Sequence, residues 1–181
     1  TLHAAQAGGL KLTGAGVDGG DSLTLEEVEG GLTPALLSKA PYLKGYALLR
    51  VRPEDRARIP AVLQGQVAVS SVLPDGTVLD ATGVQTARAL DDLFAYDGPL
   101  GAAWQGNVPT LRLWAPTAQN VKLRLTLAGG PETTVPMTRD ARGVWTVRGA
   151  QNWRGAAYRF EVKVYAPGTG RVETNLVTDP Y

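Results

Sequence analysis

LRLWAPTAQNVKLRLTL, running from Leu111 to Leu127, decides how the chain reads. Two strand-like runs flank the turn-prone segment Pro116–Asn120, and together they read as a hairpin-like unit. In the second run Val121, Leu123, Leu125 and Leu127 point one way while Lys122, Arg124 and Thr126 point the other, the two-residue period of a half-buried strand. Burying four such side chains is worth about 6–12 kcal/mol as an upper bound, comparable to the net stability of a whole domain. An apolar face of that value needs a partner, which places this unit in the middle of a sandwich.

Outward from this stretch toward the C-terminus, every candidate element is a short strand beside a turn signal. Gly129-Gly130-Pro131 turns the chain, Thr133–Thr138 returns it, Arg139–Gly143 turns it again, and Val144–Val147 comes next. In Tyr158–Val164 the residues Tyr158, Phe160, Val162 and Val164 alternate with Arg159, Glu161 and Lys163, and Ala166–Gly170 leads on to Val172–Val177. About seven short strands without a helix are the spacing of a β-sandwich.

Toward the N-terminus the texture changes at Asp97-Gly98-Pro99-Leu100-Gly101. Before it, strand and short-helix signals mix. The density of glycine in residues 1–20 reads partly as linker, with a hairpin whose strands, Leu10–Thr13 and Leu23–Val28, meet at Asp18-Gly19-Gly20. Thr33 is placed to cap a helix that has Pro34 in its first turn and ends before Pro41. Tyr46–Val51 reads as a buried strand, and Pro53–Leu63 as a helix that Pro60 interrupts. Gln66–Val72, the turn Pro74-Asp75-Gly76 and Thr77–Leu79 form a second hairpin, and Thr86–Phe94 a helix with Leu90, Leu93 and Phe94 on one side. The expected fold is mainly β: a small α+β domain over residues 1–97 followed by an immunoglobulin-like β-sandwich over 98–181.

Composition removes several functions. The 181 residues carry 18 Lys and Arg against 17 Asp and Glu, a formal charge of +1 with no basic block or acidic tail. This argues against a nucleic-acid partner or a membrane surface held by charge. No apolar run approaches the roughly 20 residues of a membrane span. There is no cysteine, so no disulfide, thiolate nucleophile or zinc–sulfur site is available, and the compartment stays open.

Reactive constellations are sparse. Gly14-x-Gly16-x-x-Gly19 matches a dinucleotide fingerprint as a string, but the residues after Gly19 read as a turn and a strand rather than the required helix. The only histidine, His3, reads as an exposed residue of a frayed terminus, so neither a Ser-His-Asp arrangement nor a histidine metal site is expected. Asp91-Asp92 and Glu26-Glu27 are adjacent pairs whose side chains diverge, unlike the facing carboxylates of glycoside hydrolysis. No catalytic residue, metal or cofactor is expected.

Aromatic rings remain, since a flat ring stacks on a sugar face and grips a neutral polymer that charge cannot hold. All four tryptophans, Trp104, Trp114, Trp145 and Trp153, lie in the second half. The candidate carbohydrate contacts are Trp153, Asn152 and Trp145, with Trp153 first because it sits in the loop Gln151-Asn152-Trp153-Arg154-Gly155 among amide and guanidinium neighbours.

The strings YDGPLGAAW (Tyr96–Trp104), LRLWAPTAQNVKLRL (Leu111–Leu125), GVWTV (Gly143–Val147), NWRGAAYRFEVKVYAPGTGRVET (Asn152–Thr174) and NLVTDPY (Asn175–Tyr181) resemble the family-48 carbohydrate-binding module. This is an early-set immunoglobulin-like sandwich that precedes the catalytic barrel in type I pullulanases. APYLKGYALLRV (Ala40–Val51), VLQGQVAV (Val62–Val69) and DGTVLDATGVQTARALDDLFAYDG (Asp75–Gly98) resemble the pullulanase N-terminal domain. The resemblance implies the front portion of an enzyme that hydrolyses α-1,6 linkages in pullulan, amylopectin or glycogen dextrins. In that family the chemistry lies in a barrel of about 250 residues, none of whose catalytic residues has a counterpart here. The implied partners are that barrel and, through stacking, α-glucan. A stand-alone scaffold that meets another protein through an apolar patch is the alternative reading.

Overall fold

The structure, a computed structural model, describes residues 1–181. In the first half the strands are β1 (Leu2–Ala5), β2 (Lys11–Thr13), β3 (Gly16–Asp18), β4 (Asp21–Leu23), β5 (Leu25–Glu27), β6 (Leu49–Val51), β7 (Gln66–Val72) and β8 (Val78–Gly83), with helices α1 (Pro34–Lys39), α2 (Ile59–Val62) and α3 (Ala87–Phe94). The principal sheet has the order β4-β1-β7-β8. Its core is small: Ala4, Leu23 and Val62 are buried, with Leu2, Ile59 and Val67 packed around them.

The N-terminus is therefore not frayed. β1 is an interior strand paired on both sides, and His3 is buried with its Nε2 2.7 Å from the Ser70 hydroxyl. The glycines that suggested a linker begin after this strand, at turns. The hairpin also differs from expectation: β2 pairs with β3 through a turn at Gly14-Ala15, while β4 returns to β1 and β5 pairs with β6. Asp18-Gly19-Gly20 links two different sheets.

Local signals do better where capping chemistry is explicit. Thr33 accepts a hydrogen bond from the Leu36 amide at 3.3 Å, with Pro34 opening α1. Pro60 does split the 53–63 segment, into a 3-10 turn over Pro53–Arg58 and the single turn α2. The β7–β8 hairpin forms, with the Asp75 carboxylate accepting from the Thr77 amide at 2.9 Å. Tyr46–Val51 is the exception: only β6 is strand, and Tyr46 and Leu49 lie exposed.

From Gly101 onward the strands are β9 (Gly101–Gln105), β10 (Val108–Trp114), β11 (Ala118–Thr126), β12 (Glu132–Pro136), β13 (Thr138–Arg139), β14 (Val144–Arg148), β15 (Ala157–Ala166) and β16 (Arg171–Val177). They form two antiparallel sheets, β13-β14-β10-β9 and β12-β11-β15-β16, which share one core. Leu111 and Leu113 from the first sheet meet Val121, Leu123, Leu125 and Phe160 from the second, with Met137, Trp145 and Val147 filling between them. The alternation read from the sequence holds along β11, where Val121, Leu123 and Leu125 are buried and the residues between them are not. The fold class is mainly β with a sandwich, as expected.

One inference from the opening stretch is corrected. β10 and β11 are not a hairpin; Pro116 and Thr117 carry the chain from one sheet to the other. Pro116 cannot donate to a ladder, and its carbonyl instead accepts from Arg139 Nη2 at 3.1 Å. At Gly143, φ is +74° and a Cβ would stand 2.6 Å from Pro116 Cα, so the crossover needs a residue without a side chain beside it.

The outer face of the first sheet turns toward the first half. Register places Trp114 opposite Val144, and Val144 is fully buried although it faces away from the sandwich core. Trp114 Nε1 donates to the Phe94 carbonyl at 2.9 Å, Arg142 donates to the Ala95 carbonyl at 2.8 Å, and the Arg139 guanidinium lies 5.4 Å from the Phe94 ring centroid. A second seam joins Gln64 Nε2 to the Ala118 carbonyl at 2.9 Å and Gln119 Nε2 to the carbonyls of Gln64 and Gln6 at 3.0 and 2.6 Å.

Candidate functional site

The loop between β14 and β15 folds as a 3-10 turn over Gln151–Trp153. Its backbone is closed by the Trp153 amide to the Ala150 carbonyl and by the Ala156 amide to the Trp153 carbonyl, both at 3.1 Å. Trp153 is half-buried, with one side of its ring against the sandwich core. Asn152, one residue earlier, is exposed.

Next to Trp153 stands another of the four tryptophans, one that the sequence did not single out as a contact. Trp104 lies on β9, the edge strand of its sheet, and is 45% exposed. It is paired in register with Pro109. The Arg154 guanidinium sits 5.5 Å from its ring centroid, a cation–π pair of the kind worth about 0.5–1 kcal/mol at an exposed site. Trp104, Trp153, Pro109 and Tyr158 border a notch of about 50 Å³. That is far below the roughly 300–1,000 Å³ of an enclosing ligand pocket. The arrangement therefore offers ring faces at a surface, flanked by the Asn152 amide and the Arg154 guanidinium, rather than a cavity. Trp104 was hard to find because its neighbours Gly101, Ala102 and Ala103 are small. Small residues leave a ring uncovered, but they carry no signal of Arg154, about 50 positions further on.

Trp145 does not join this group. It is buried within the sandwich core, and its Nε1 donates to the Ala115 carbonyl at 3.0 Å. The ring lacks a free face and its polar atom is already paired, so its sequence assignment as a sugar contact is corrected to a core residue.

Below the notch, the Tyr158 ring meets Phe160 edge-on, with centroids 5.7 Å apart, and its hydroxyl donates to the Asp179 carboxylate. Burial foremost, and then this bond and the negative charge of Asp179, push the Tyr158 hydroxyl well above the usual phenol range. Burial likewise raises Tyr181, whose amide donates to Asp179 at 3.1 Å. Asp179 thereby ties the last residues to the base of the site.

The carboxylates elsewhere face cations. Glu161 lies 2.6 Å from Arg124 and 3.6 Å from Lys122, Glu132 faces Arg124 and Arg159, and Glu26 faces Arg50 and Arg52. Asp91 and Asp92 lie exposed on α3. Each surface pair of this kind is worth about 0–1 kcal/mol. Glu161 and Glu132 converge only on Arg124, which stands between them as their counter-charge, and no three His, Asp or Glu side chains converge to hold a metal ion.

Comparison with known proteins matches the two halves to two families. Residues 1–92 match the Pullulanase N2 domain, and residues 99–181 match Carbohydrate-binding module 48 (Isoamylase N-terminal domain). The chain is 37% identical over 184 residues to Pullulanase 1, chloroplastic, of Arabidopsis thaliana, covering 99% of this chain and 19% of that protein. It is 38% identical over 160 residues to a pullulanase of Klebsiella pneumoniae, covering 83% and 14%. Among solved structures, the crystal structure of PulA from Klebsiella oxytoca superposes with a TM-score of 0.83 at 33% identity, over 99% of this chain and 17% of that one. The maltotriose complex of PulA from Klebsiella pneumoniae gives 0.84 at 30% identity, over 99% and 20%. The chain thus spans a fifth or less of the relatives it matches.

Proposed function

The chain belongs to the pullulanase family, as a Pullulanase N2 domain followed by a carbohydrate-binding module 48, and on that premise we propose that it is the non-catalytic front part of an enzyme hydrolysing α-1,6 linkages in pullulan, starch or glycogen dextrins. Its work is to brace and orient the catalytic barrel. α-Glucan is held by stacking on Trp104 and Trp153, with Asn152 and Arg154 supplying hydrogen bonds to hydroxyls. An α+β domain over 1–97 and a sandwich over 98–181 are the units of this reading.

The observation that carries the bracing role is the burial along residues 24–61, where no side chain is fully buried. Tyr42 is 79% exposed, Tyr46 68% and Leu49 46%. Apolar surface left open in this way marks an interaction face, and tyrosine is enriched where proteins meet.

The test is to mix the chain with a separately produced pullulanase catalytic portion and measure association. Binding that weakens in a Tyr42→Ala/Tyr46→Ala variant supports the brace. Retardation in amylopectin gels that is lost in Trp153→Ala and Trp104→Ala supports the glucan contact. No association and no retardation would favour the stand-alone scaffold. Reducing-sugar release from pullulan by the chain alone would overturn the non-catalytic reading.

A further inference from the structure

The largest groove of the molecule lies away from the tryptophans. It measures about 430 Å³ and runs between the β2–β3 hairpin, the β7–β8 sheet and the turn after β15. In volume it falls within the roughly 300–1,000 Å³ of sites that hold small-molecule ligands. In a chain with 35 charged side chains among 181 residues, its walls carry no Asp, Glu, Lys, Arg or His. An ion would find no counter-charge in it.

What the groove offers is neutral hydrogen bonding around a fixed ring. Gln66 Oε1 accepts from the Leu10 amide at 2.9 Å, which orients the side chain and leaves its NH2 group free to donate. Thr86 opens α3, yet its hydroxyl does not cap the helix and remains available. Tyr165 lines the same space, whereas Thr82, paired with Val69, turns its side chain to the other face of the sheet with Asp80. The Tyr165 ring is held from behind by the N-terminal chain: at Gly8, φ is +81° and a Cβ would come within 2.8 Å of Tyr165 Cε2. A bridge from Gly8 to Arg171 fixes that passage. Leu10, Leu12 and Val17 give the opposite wall an apolar surface.

We infer that this groove is a second carbohydrate site, built for a short neutral oligosaccharide whose ring stacks on Tyr165 while its hydroxyls meet Gln66 and Thr86. A sugar has the matching chemistry: apolar ring faces, donor and acceptor hydroxyls at the rim, and no net charge. Tyr165 comes from the sandwich and the other groups from the first half, so a bound sugar contacts both halves at once. The site stands on residues separate from Trp104 and Trp153.

The test titrates the full chain with maltohexaose and monitors backbone amide resonances. The expected result is saturable shifts at Gln66, Thr86 and Tyr165, retained in Trp104→Ala. Affinity at these resonances should fall about tenfold or more in Tyr165→Ala, and about two- to tenfold in Tyr165→Phe and Thr86→Val, the loss of one neutral hydrogen bond. The two conservative variants keep the test valid if Tyr165→Ala unfolds. Shifts confined to Trp104 and Trp153 would overturn the groove and leave the outer site standing; shifts confined to the groove would do the reverse. Equal binding of an oligomer of glucuronic acid would also overturn it, since the groove has no cation to accept that charge.

Discussion

Phe160 stands directly opposite Leu123 across the β11–β15 pair, and neither side chain has surface left for water. The pair sits where the two sheets of the sandwich press together, with Leu111, Leu113 and Met137 in the same core. Replacing Phe160 with alanine removes a ring that its neighbours cannot collapse to replace. The expected loss is about 3–5 kcal/mol, read from urea unfolding. A change under about 1 kcal/mol would mean that the face of β15 is assigned the wrong way round.

Trp114 reaches across the seam to the Phe94 carbonyl at 2.9 Å. In Trp114→Phe the donor is lost together with three heavy atoms of the indole. The hydrogen bond alone costs about 0.5–1.5 kcal/mol and the lost packing adds to it, a fall in melting temperature of at least about 1–6 °C for a chain of this size. Faster amide exchange should accompany it at residues 94–97. Unchanged exchange there would show that the seam does not depend on this bond.

The period-two pattern made the core face of β11 and β15 legible, because Val121, Leu123, Leu125 and Phe160 each have a polar neighbour on either side to define the opposite face. The path between strands was not legible. Pro116–Asn120 has turn chemistry that suits a hairpin and a crossover equally, and only the long-range pairing of β10 with β14 decides between them. His3 was misread for a similar reason: nothing within residues 1–20 announces that the Ser70 hydroxyl will meet its ring. The loop setting rightly put Trp153 ahead of Trp145, but that Trp145 lies wholly in the core was not legible, since whether a ring faces a second sheet or a notch depends on elements far away in the chain. Trp104, one of the four tryptophans, was passed over because its partner Arg154 is distant in sequence.

His3 predicts a pH response. Burial, with the N-terminal charge as a smaller cause, lowers its pKa below the usual histidine value of 6.5. The unfolded chain therefore binds a proton at a pH where the folded chain still excludes it, and stability falls as pH drops below about 6.5 through the depressed folded value. Chemical denaturation at a series of pH values should show this decline. His3→Gln should flatten it while keeping a hydrogen-bonding group toward Ser70. An identical profile in the variant would assign the acid sensitivity to other groups.

Gly143 separates backbone strain from steric contact. Its φ of +74° costs any L side chain, and a Cβ there would also strike Pro116 at 2.6 Å, at the point where the Ala115 amide donates to the Gly143 carbonyl at 3.0 Å. Gly129 has a similar φ of +70° but open space around it, which makes it the control. Gly129→Ala should lose about 1–3 kcal/mol from strain alone. Gly143→Ala should lose clearly more, because Pro116 is held between β10 and β11 and cannot move without shifting one sheet against the other. The two losses are compared by urea unfolding under the same conditions. Equal losses would mean that the crossover yields to an added methyl group, and that the junction of the two sheets is looser than the packing around Pro116 implies.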